Sequence, residues 1–484
     1  MAFNSIEYVL FFATVIVVYF IVNQRFRLDW LLTASLFFYA SADPVLIVHF
    51  IIVIVVTYFL ALRIDAQSEK DKRKRWMLIA VGLLVFNLFI FKYTMFLSDT
   101  LRSLSEASGV PYPVPTFRIM LPIGISFYTF SLISYVIDIQ KGMPAERRFR
   151  TFALYASFFP KIVAGPIERA KKLIPQFDVP HSFDYERAYL GLQLILWGAF
   201  KKIVVADNIA PFVARVYDNP QGVDGVAVVA ATVLYAFQLY CDFSGYTDIA
   251  IGSALMMGFH LSPNFNRPYI ATSIQDYWKR WHISLSSWLT EYVYTPMSRT
   301  TWIKMKWYNL MLLSLFATFV VSGLWHGAQW TFVVWGALHG SYIVISQLTQ
   351  KQRGKLVRFV GLNKYPSALR AWKIGCTFTL VCLAYILFRS SNLADAAELF
   401  ARLPIGWMNP IEGLKIVIAG YRTEILICIA GIGVVLLIEA MQGKAQTGQI
   451  ALSSRWMLNY TAATAIILFG ALYQTDQQFI YFQF

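Results

Sequence analysis

Residues 310–345 read LMLLSLFATFVVSGLWHGAQWTFVVWGALHGSYIVI: two apolar runs, Leu310–Trp325 and Trp330–Ile345, joined at His326. Neither run contains an Asp, Glu, Lys or Arg. A helix that crosses a bilayer needs about 20 predominantly apolar residues, and each run approaches that length. Apolar runs of the same kind recur at Ile6–Val22, Leu28–Ala40, Val45–Leu62, Trp76–Phe91, Ile119–Ile137 and Ala188–Phe200. They continue at Val226–Phe259, Ile374–Phe388, Ile425–Ile438 and Leu458–Tyr473. Several fall short of a full crossing, Leu28–Ala40 most of all, which suits tilted, broken or re-entrant helices. The expectation is an all-α polytopic membrane protein with roughly ten to twelve membrane segments, some short or re-entrant.

Composition agrees. Of 484 residues 57% are hydrophobic and only 14% charged, and mean hydropathy is +0.54. A soluble domain carries about 25% charged residues to cover its surface. The net charge of +15 sits in short loops between apolar runs, so it points to the cytoplasmic leaflet and not to nucleic acid. Loops Asn23–Arg27, Arg63–Arg75 and Lys141–Arg150 are basic, whereas Ser41–Pro44 and Ser98–Arg118 hold only Arg102 and Arg118. That asymmetry places the N-terminus outside. Lys351–Lys373 is a second basic, cytoplasmic stretch. The first 24 residues hold no Lys or Arg, so the first run reads as a retained span and not a cleaved signal. Cys241, Cys376, Cys382 and Cys428 lie in apolar stretches without disulfide or zinc spacing and read as buried free thiols. No repeat or soluble domain interrupts the chain, which reads as one membrane domain, 1–484.

Ionisable groups inside apolar segments are costly and therefore mark function. Three clusters qualify. In Ser322-Gly323-Leu324-Trp325-His326-Gly327-Ala328 the glycines permit close approach. Partial desolvation keeps an imidazole in its neutral, basic form, as a general base for a hydroxyl requires. A structural histidine bonded to a carbonyl is an equally good reading of this motif alone. The second cluster runs from Gln275 to Leu289. As one helix it places Trp281, Leu285, Trp288 and Tyr292 on a face and His282 with Ser286 beside it, with Asp276 four residues before Arg280. An interfacial anchor helix is the structural alternative. The third, Gln238 to Asp248, sets Asp242 and Asp248 among Ser, Thr and Tyr hydroxyls; such groups more often bond neighbouring helices than a substrate. His49 and His339 read as core or interhelical, His181 as part of a polar loop, and His260 as flanking a proline turn. Phosphate-loop, dinucleotide, His-Glu-x-x-His and Gly-x-Ser-x-Gly motifs are absent.

At these residues the chain resembles the membrane-bound O-acyltransferase (MBOAT) family. The resemblance rests on Cys241-Asp242-Phe243-Ser244-Gly245-Tyr246, Asn264-Phe265-Asn266-Arg267-Pro268-Tyr269, Trp281-His282-Ile283-Ser284-Leu285-Ser286 and Leu324-Trp325-His326-Gly327-Ala328. Val163-Ala164-Gly165-Pro166-Ile167 and Phe479-Ile480-Tyr481-Phe482-Gln483-Phe484 resemble its bacterial alginate O-acetyltransferase-like branch. The resemblance implies the MBOAT fold around a transmembrane tunnel, with His326 catalytic and His282 a second active-site histidine. It implies no bound cofactor, a cytoplasmic thioester donor such as acetyl-CoA, and a polysaccharide acceptor outside the bacterial inner membrane. An extracytoplasmic SGNH-like acetyltransferase partner is implied too. Tyr246, Asp242 and Ser286 join the substrate-binding candidates. His282 and the Trp325 and Trp330 indoles are candidates for the oxyanion, and Arg267, Lys279 and Arg280 for donor phosphates. The chain departs from the family pattern at Thr290-Glu291, Ser298-Arg299 and Gly258–Pro263, which bears on the polymer or partner and not on the histidines. Two rival readings remain: teichoic acid D-alanyl transfer within the family, and a transporter or flippase outside it.

Overall fold

The computed structural model describes residues 1, 3–42, 44–110, 112, 119–420, 422–441, 462, 465 and 466. Among these there are helices and no strands. The principal helices are α1 (Ile6–Ile21), α2 (Gln24–Ala42), α3 (Leu46–Asp65), α4 (Lys70–Lys92) and α5 (Ile125–Gln140). They continue with α6 (Tyr185–Tyr217), α7 (Gly225–Met257), α8 (Trp307–His326), α9 (Trp330–Leu348), α10 (Pro366–Arg389) and α11 (Arg422–Met441). Every apolar run read from the sequence before residue 442 lies on one of them; Leu458–Tyr473 and the closing Phe479–Phe484 motif fall outside the described residues. Among the described residues eight helices are long and apolar enough to cross a bilayer. The chain is a multi-pass membrane protein.

The helix ends explain the deviations. The run Leu28–Ala40 is the core of a 19-residue helix, extended backwards through Gln24–Arg27 because Arg27 Nε donates to Val22 O at 3.2 Å and keeps its charge at the end of the segment. Ile119–Ile137 begins later than its hydropathy, at Ile125, after Pro122 and a left-handed Gly124. Ala188–Phe200 is the first part of a 33-residue helix. That helix runs on through Lys201 and Lys202 in a π-helical turn, Phe200–Ala206.

Contacts divide the chain into two compact units, residues 1–196 with 246–262, and residues 197–245 with 263–484. In the first, α3, α4 and α5 pack together, and His49 Nε2 meets Asn87 Oδ1 at 2.7 Å between α3 and α4, as an interhelical histidine should. Three short helices, Phe149–Ser157, Phe159–Ile162 and Ala170–Phe177, bury the Val163–Ile167 motif. There the Glu168 carboxylate accepts from Ser262 N and from Ser262 Oγ, the latter at 3.1 Å.

In the second unit α8 and α9 form an antiparallel hairpin. A Cβ on Gly323 would stand 2.2 Å from Phe332 O, and one on Gly336 would stand 2.4 Å from Phe319 O. Two bare backbones therefore touch where the helices cross, the packing that small residues permit in membranes. Gly336→Ala is expected to cost about 1–3 kcal/mol by overpacking. Gly375→Ala on α10, where nothing lies within 4 Å, should be neutral or stabilising by up to about 1 kcal/mol. Thermal midpoints of the two purified variants test the contrast. Among the cysteines Cys241 and Cys428 are buried, Cys382 is half-buried and Cys376 is exposed. The expectation of burial therefore fails at Cys376, where the first turns of α10 face outward.

Candidate active site

The stretch Gln275–Leu289 is not one helix. It breaks into Ile274–Trp278 and Ile283–Leu289, followed by a π turn, Thr290–Tyr294. His282 sits at the break with φ 44, a left-handed conformation that L residues other than glycine seldom hold. Two backbone hydrogen bonds enforce it: Asn266 N to Arg280 O and Ile283 N to Asn264 O, both 2.9 Å. The Asn264–Tyr269 motif is thus the clamp that presents the histidine. Backbone strain of this kind collects at functional sites, where surrounding contacts over-determine it. Ser286 consequently caps Trp281 O at 3.2 Å, and Trp281, Leu285, Trp288 and Tyr292 are all buried, which excludes an interfacial anchor helix. The Asp276–Arg280 ion pair forms as the spacing requires, at 2.8 Å.

Asn264 Oδ1 receives Ser284 N at 3.1 Å and Ser284 Oγ at 2.6 Å. A backbone N–H donates only to an acceptor, so this atom is the amide oxygen. His282 Nδ1, 3.3 Å from the same oxygen, must then carry the proton, which leaves Nε2 as the basic nitrogen. His282 lies outside the candidate spans, and burial pulls its imidazole down to about 3. The unfolded chain takes up that proton near pH 6.5. Stability from this group is therefore complete above about pH 6.5 and is lost as pH falls towards 3. The thermal midpoint should drop on acidification from pH 7 to 4, and His282→Gln should flatten that dependence; equal slopes in the two proteins would contradict it.

His326 ends α8 and is 3% exposed. Its ring centroid lies 5.0 Å from Trp325, 5.0 Å from Trp335 and 5.3 Å from Phe388, each edge-on. Trp325 in turn lies 5.7 Å from His282, and Phe243 closes on His282 at 4.7 Å. The two histidines thus flank one indole inside an aromatic box that excludes water. Trp330 stands at the start of α9 and is 49% exposed; the buried indole against His326 is Trp335, nine residues after it. Sequence spacing did not single out Trp335, because the Gly323–Gly336 crossing decides which turn of α9 meets His326. Among the described residues Trp335 Nε1 has no acceptor. Behind it, His339 Nδ1 accepts from Trp278 Nε1 at 3.3 Å, so this histidine is a core group, as expected.

Asp242 is 1% exposed and pairs with Lys202 Nζ at 2.6 Å; Lys202 also pairs with Asp207 at 2.7 Å. Lys201 Nζ lies 2.8 Å from Ser244 Oγ. The motif from Tyr240 to Gly245 therefore holds the π turn of α6, the bonding role weighed against substrate contact. Of the basic candidates, Arg280 is neutralised by Asp276, Arg267 Nη1 reaches Glu439 O at 3.4 Å, and Lys279 is exposed. Tyr246 belongs to the first unit, where it stacks on Phe3 at 4.3 Å. Among the described residues no group of three His, Cys, Asp or Glu is placed to hold a metal.

Residues 147–388, which include both histidines and the lysine pair, match the membrane-bound O-acyltransferase family, MBOAT. The chain is 36% identical over 403 residues to the probable alginate O-acetylase AlgI of Pseudomonas aeruginosa, covering 83% of this chain and 74% of that protein. It is 33% identical over 407 residues to the peptidoglycan O-acetyltransferase of Helicobacter pylori (78% and 73% covered). It is 27% identical over 288 residues to the teichoic acid D-alanyltransferase of Bacillus subtilis (57% and 70% covered). The chain belongs to the membrane-bound O-acyltransferase family and is an acyltransferase.

Proposed function

We propose that this enzyme moves an acyl group, acetyl in the first instance, from a cytoplasmic thioester donor such as acetyl-CoA for O-acetylation of an extracellular polysaccharide. The observation that carries the reading is the pair of buried histidines on either side of Trp325. An acceptor hydroxyl gives its proton to His326 as its oxygen attacks the thioester carbonyl. The new C–O bond forms, the C–S bond breaks, and the thiolate leaves with the proton that His326 returns. The Trp335 indole N–H is the group to hold the oxyanion, since His282 gives its one N–H to Asn264, and the aromatic box protects the thioester from hydrolysis. Lys279 is the candidate for donor phosphate, being exposed and free of the pairing that occupies Arg280.

The whole chain acts as one catalytic domain in a bacterial inner membrane, N-terminus outside. The acyl group passes to an extracytoplasmic, SGNH-like acetyltransferase that completes transfer to polymer. Alginate- and peptidoglycan-modifying relatives are more similar to this chain than D-alanyltransferases, which favours acetyl transfer to a polysaccharide. The test is chemical analysis of the host's envelope with the chain present, deleted and restored. Loss of ester-linked acetate from an extracellular polysaccharide in the deletion alone supports the reading. Unchanged acetate with loss of ester-linked D-alanine assigns D-alanyl transfer instead.

A further inference from the structure

From Tyr292 to Ala394 the chain contains no carboxylate side chain, yet it carries Arg299, Lys304, Lys306 and a run of further cations from Lys351 to Lys373. The hairpin register brings these together. Gly323 meets Phe332 and Gly336, and Gly340 meets Phe316, so the start of α8 and the end of α9 lie at one end of the hairpin. The link into α8, residues 299–306, and the start of the basic helix Gln350–Phe359 are therefore attached to the same end of the hairpin.

Within that link the pattern is specific. Arg299, Lys304 and Lys306 are exposed and form no ion pair among the described residues. Trp302 and Trp307 stand 88% and 71% exposed among them, the placing of interfacial anchors. Next to it lies a cavity of about 230 Å³, lined by Pro296, Met297, Thr300, Ile303, Leu310, Leu313 and Ser314. Largely apolar walls with unpaired cations next to them match one kind of molecule, a phospholipid with a net negative headgroup. We propose that this pocket binds one anionic phospholipid, an acyl-chain segment in the cavity and its phosphate among Arg299, Lys304 and Lys306. A zwitterionic lipid fills the cavity equally well and leaves the cations without a counter-charge. Leu310 is separated from His326 by sixteen residues of helix, roughly 24 Å along the axis. The site is thus apart from the chemistry and stands whatever acyl group the enzyme transfers.

The experiment places purified protein in membranes of equal phosphatidylglycerol and phosphatidylcholine, then counts lipids retained on transfer to dilute detergent by native mass spectrometry. One phosphatidylglycerol per wild-type chain is expected. Each cation at an anionic headgroup contributes about fivefold in affinity, so Arg299→Gln/Lys304→Gln/Lys306→Gln should weaken retention by about 100-fold. Leu313→Trp, which fills the cavity without changing charge, should also release the lipid. Lys351→Gln/Lys355→Gln/Arg358→Gln removes as much charge from the basic helix and should leave the bound lipid in place. All of these positions are exposed, so the variants should fold. Equal retention of both lipids would overturn the site in favour of unselective filling of the cavity, and equal loss in the two triple variants would overturn it in favour of diffuse surface attraction. No lipid retained by the wild type would overturn it too, leaving the basic face open to an acidic protein.

Discussion

His326→Ala should abolish most acyl transfer, by about 10²–10⁴-fold in initial rate, the share a positioned general base contributes. The side chain ends α8 inside a box of Trp325, Trp335 and Phe388. Alanine leaves that box standing but removes the imidazole proposed as proton acceptor. His326→Gln fills more of the same space with a group that cannot take up the proton, so it should be as inactive as alanine and fold as well as wild type. Membranes matched for protein level, supplied with acetyl-CoA and assayed for acetate transferred to polymer, decide it. Retained rate in both variants would remove His326 from the chemistry and reopen a transport role.

Lys202→Met should be the most destabilising single change outside the histidine box. Lys202 is 4% exposed and is the shared counter-charge of Asp207 and Asp242. Removing it strands two carboxylates in a desolvated interior, a loss of about 3–5 kcal/mol for breaking one buried pair. The expected readout is little monodisperse protein and a depressed thermal midpoint. Replacing all three groups together by apolar residues of similar volume should recover much of the loss, because the penalty lies in the uncompensated charge. A Lys202→Met protein as stable as wild type would show that the triad does not hold the π turn of α6.

The contrast between these two residues shows what could be read from the chain alone. Apolar runs locate the membrane helices because lipid imposes a length and composition on each crossing, and the interruption at His326 stands out against that background. Lys201 and Lys202 instead lie just past the apolar run Ala188–Phe200, where hydropathy gives them no partner. Their partners Asp242 and Ser244 lie some forty residues on, and the pairing becomes visible only once α6 and α7 are packed. The signal was present in part, since Asp242 in an apolar run requires a cation. The break at His282 was hidden for another reason. Helical periodicity runs smoothly through Trp281, Leu285 and Trp288, whereas the left-handed turn is imposed by Asn264 and Asn266 from a separate segment. Likewise, which tryptophan of α9 faces His326 depends on the Gly323–Gly336 crossing and not on proximity along the chain.

The central claim is acyl transfer from a thioester within this histidine pair. The most direct test reconstitutes the purified protein in proteoliposomes with the polysaccharide acceptor and the extracytoplasmic partner, supplies acetyl-CoA carrying a labelled acetyl group, and follows free thiol and labelled ester together. The account predicts thiol release matched one for one by new ester, lost in His326→Gln with the protein intact. Movement of polymer or acyl carrier across the bilayer without thiol release, unchanged in His326→Gln, would contradict it.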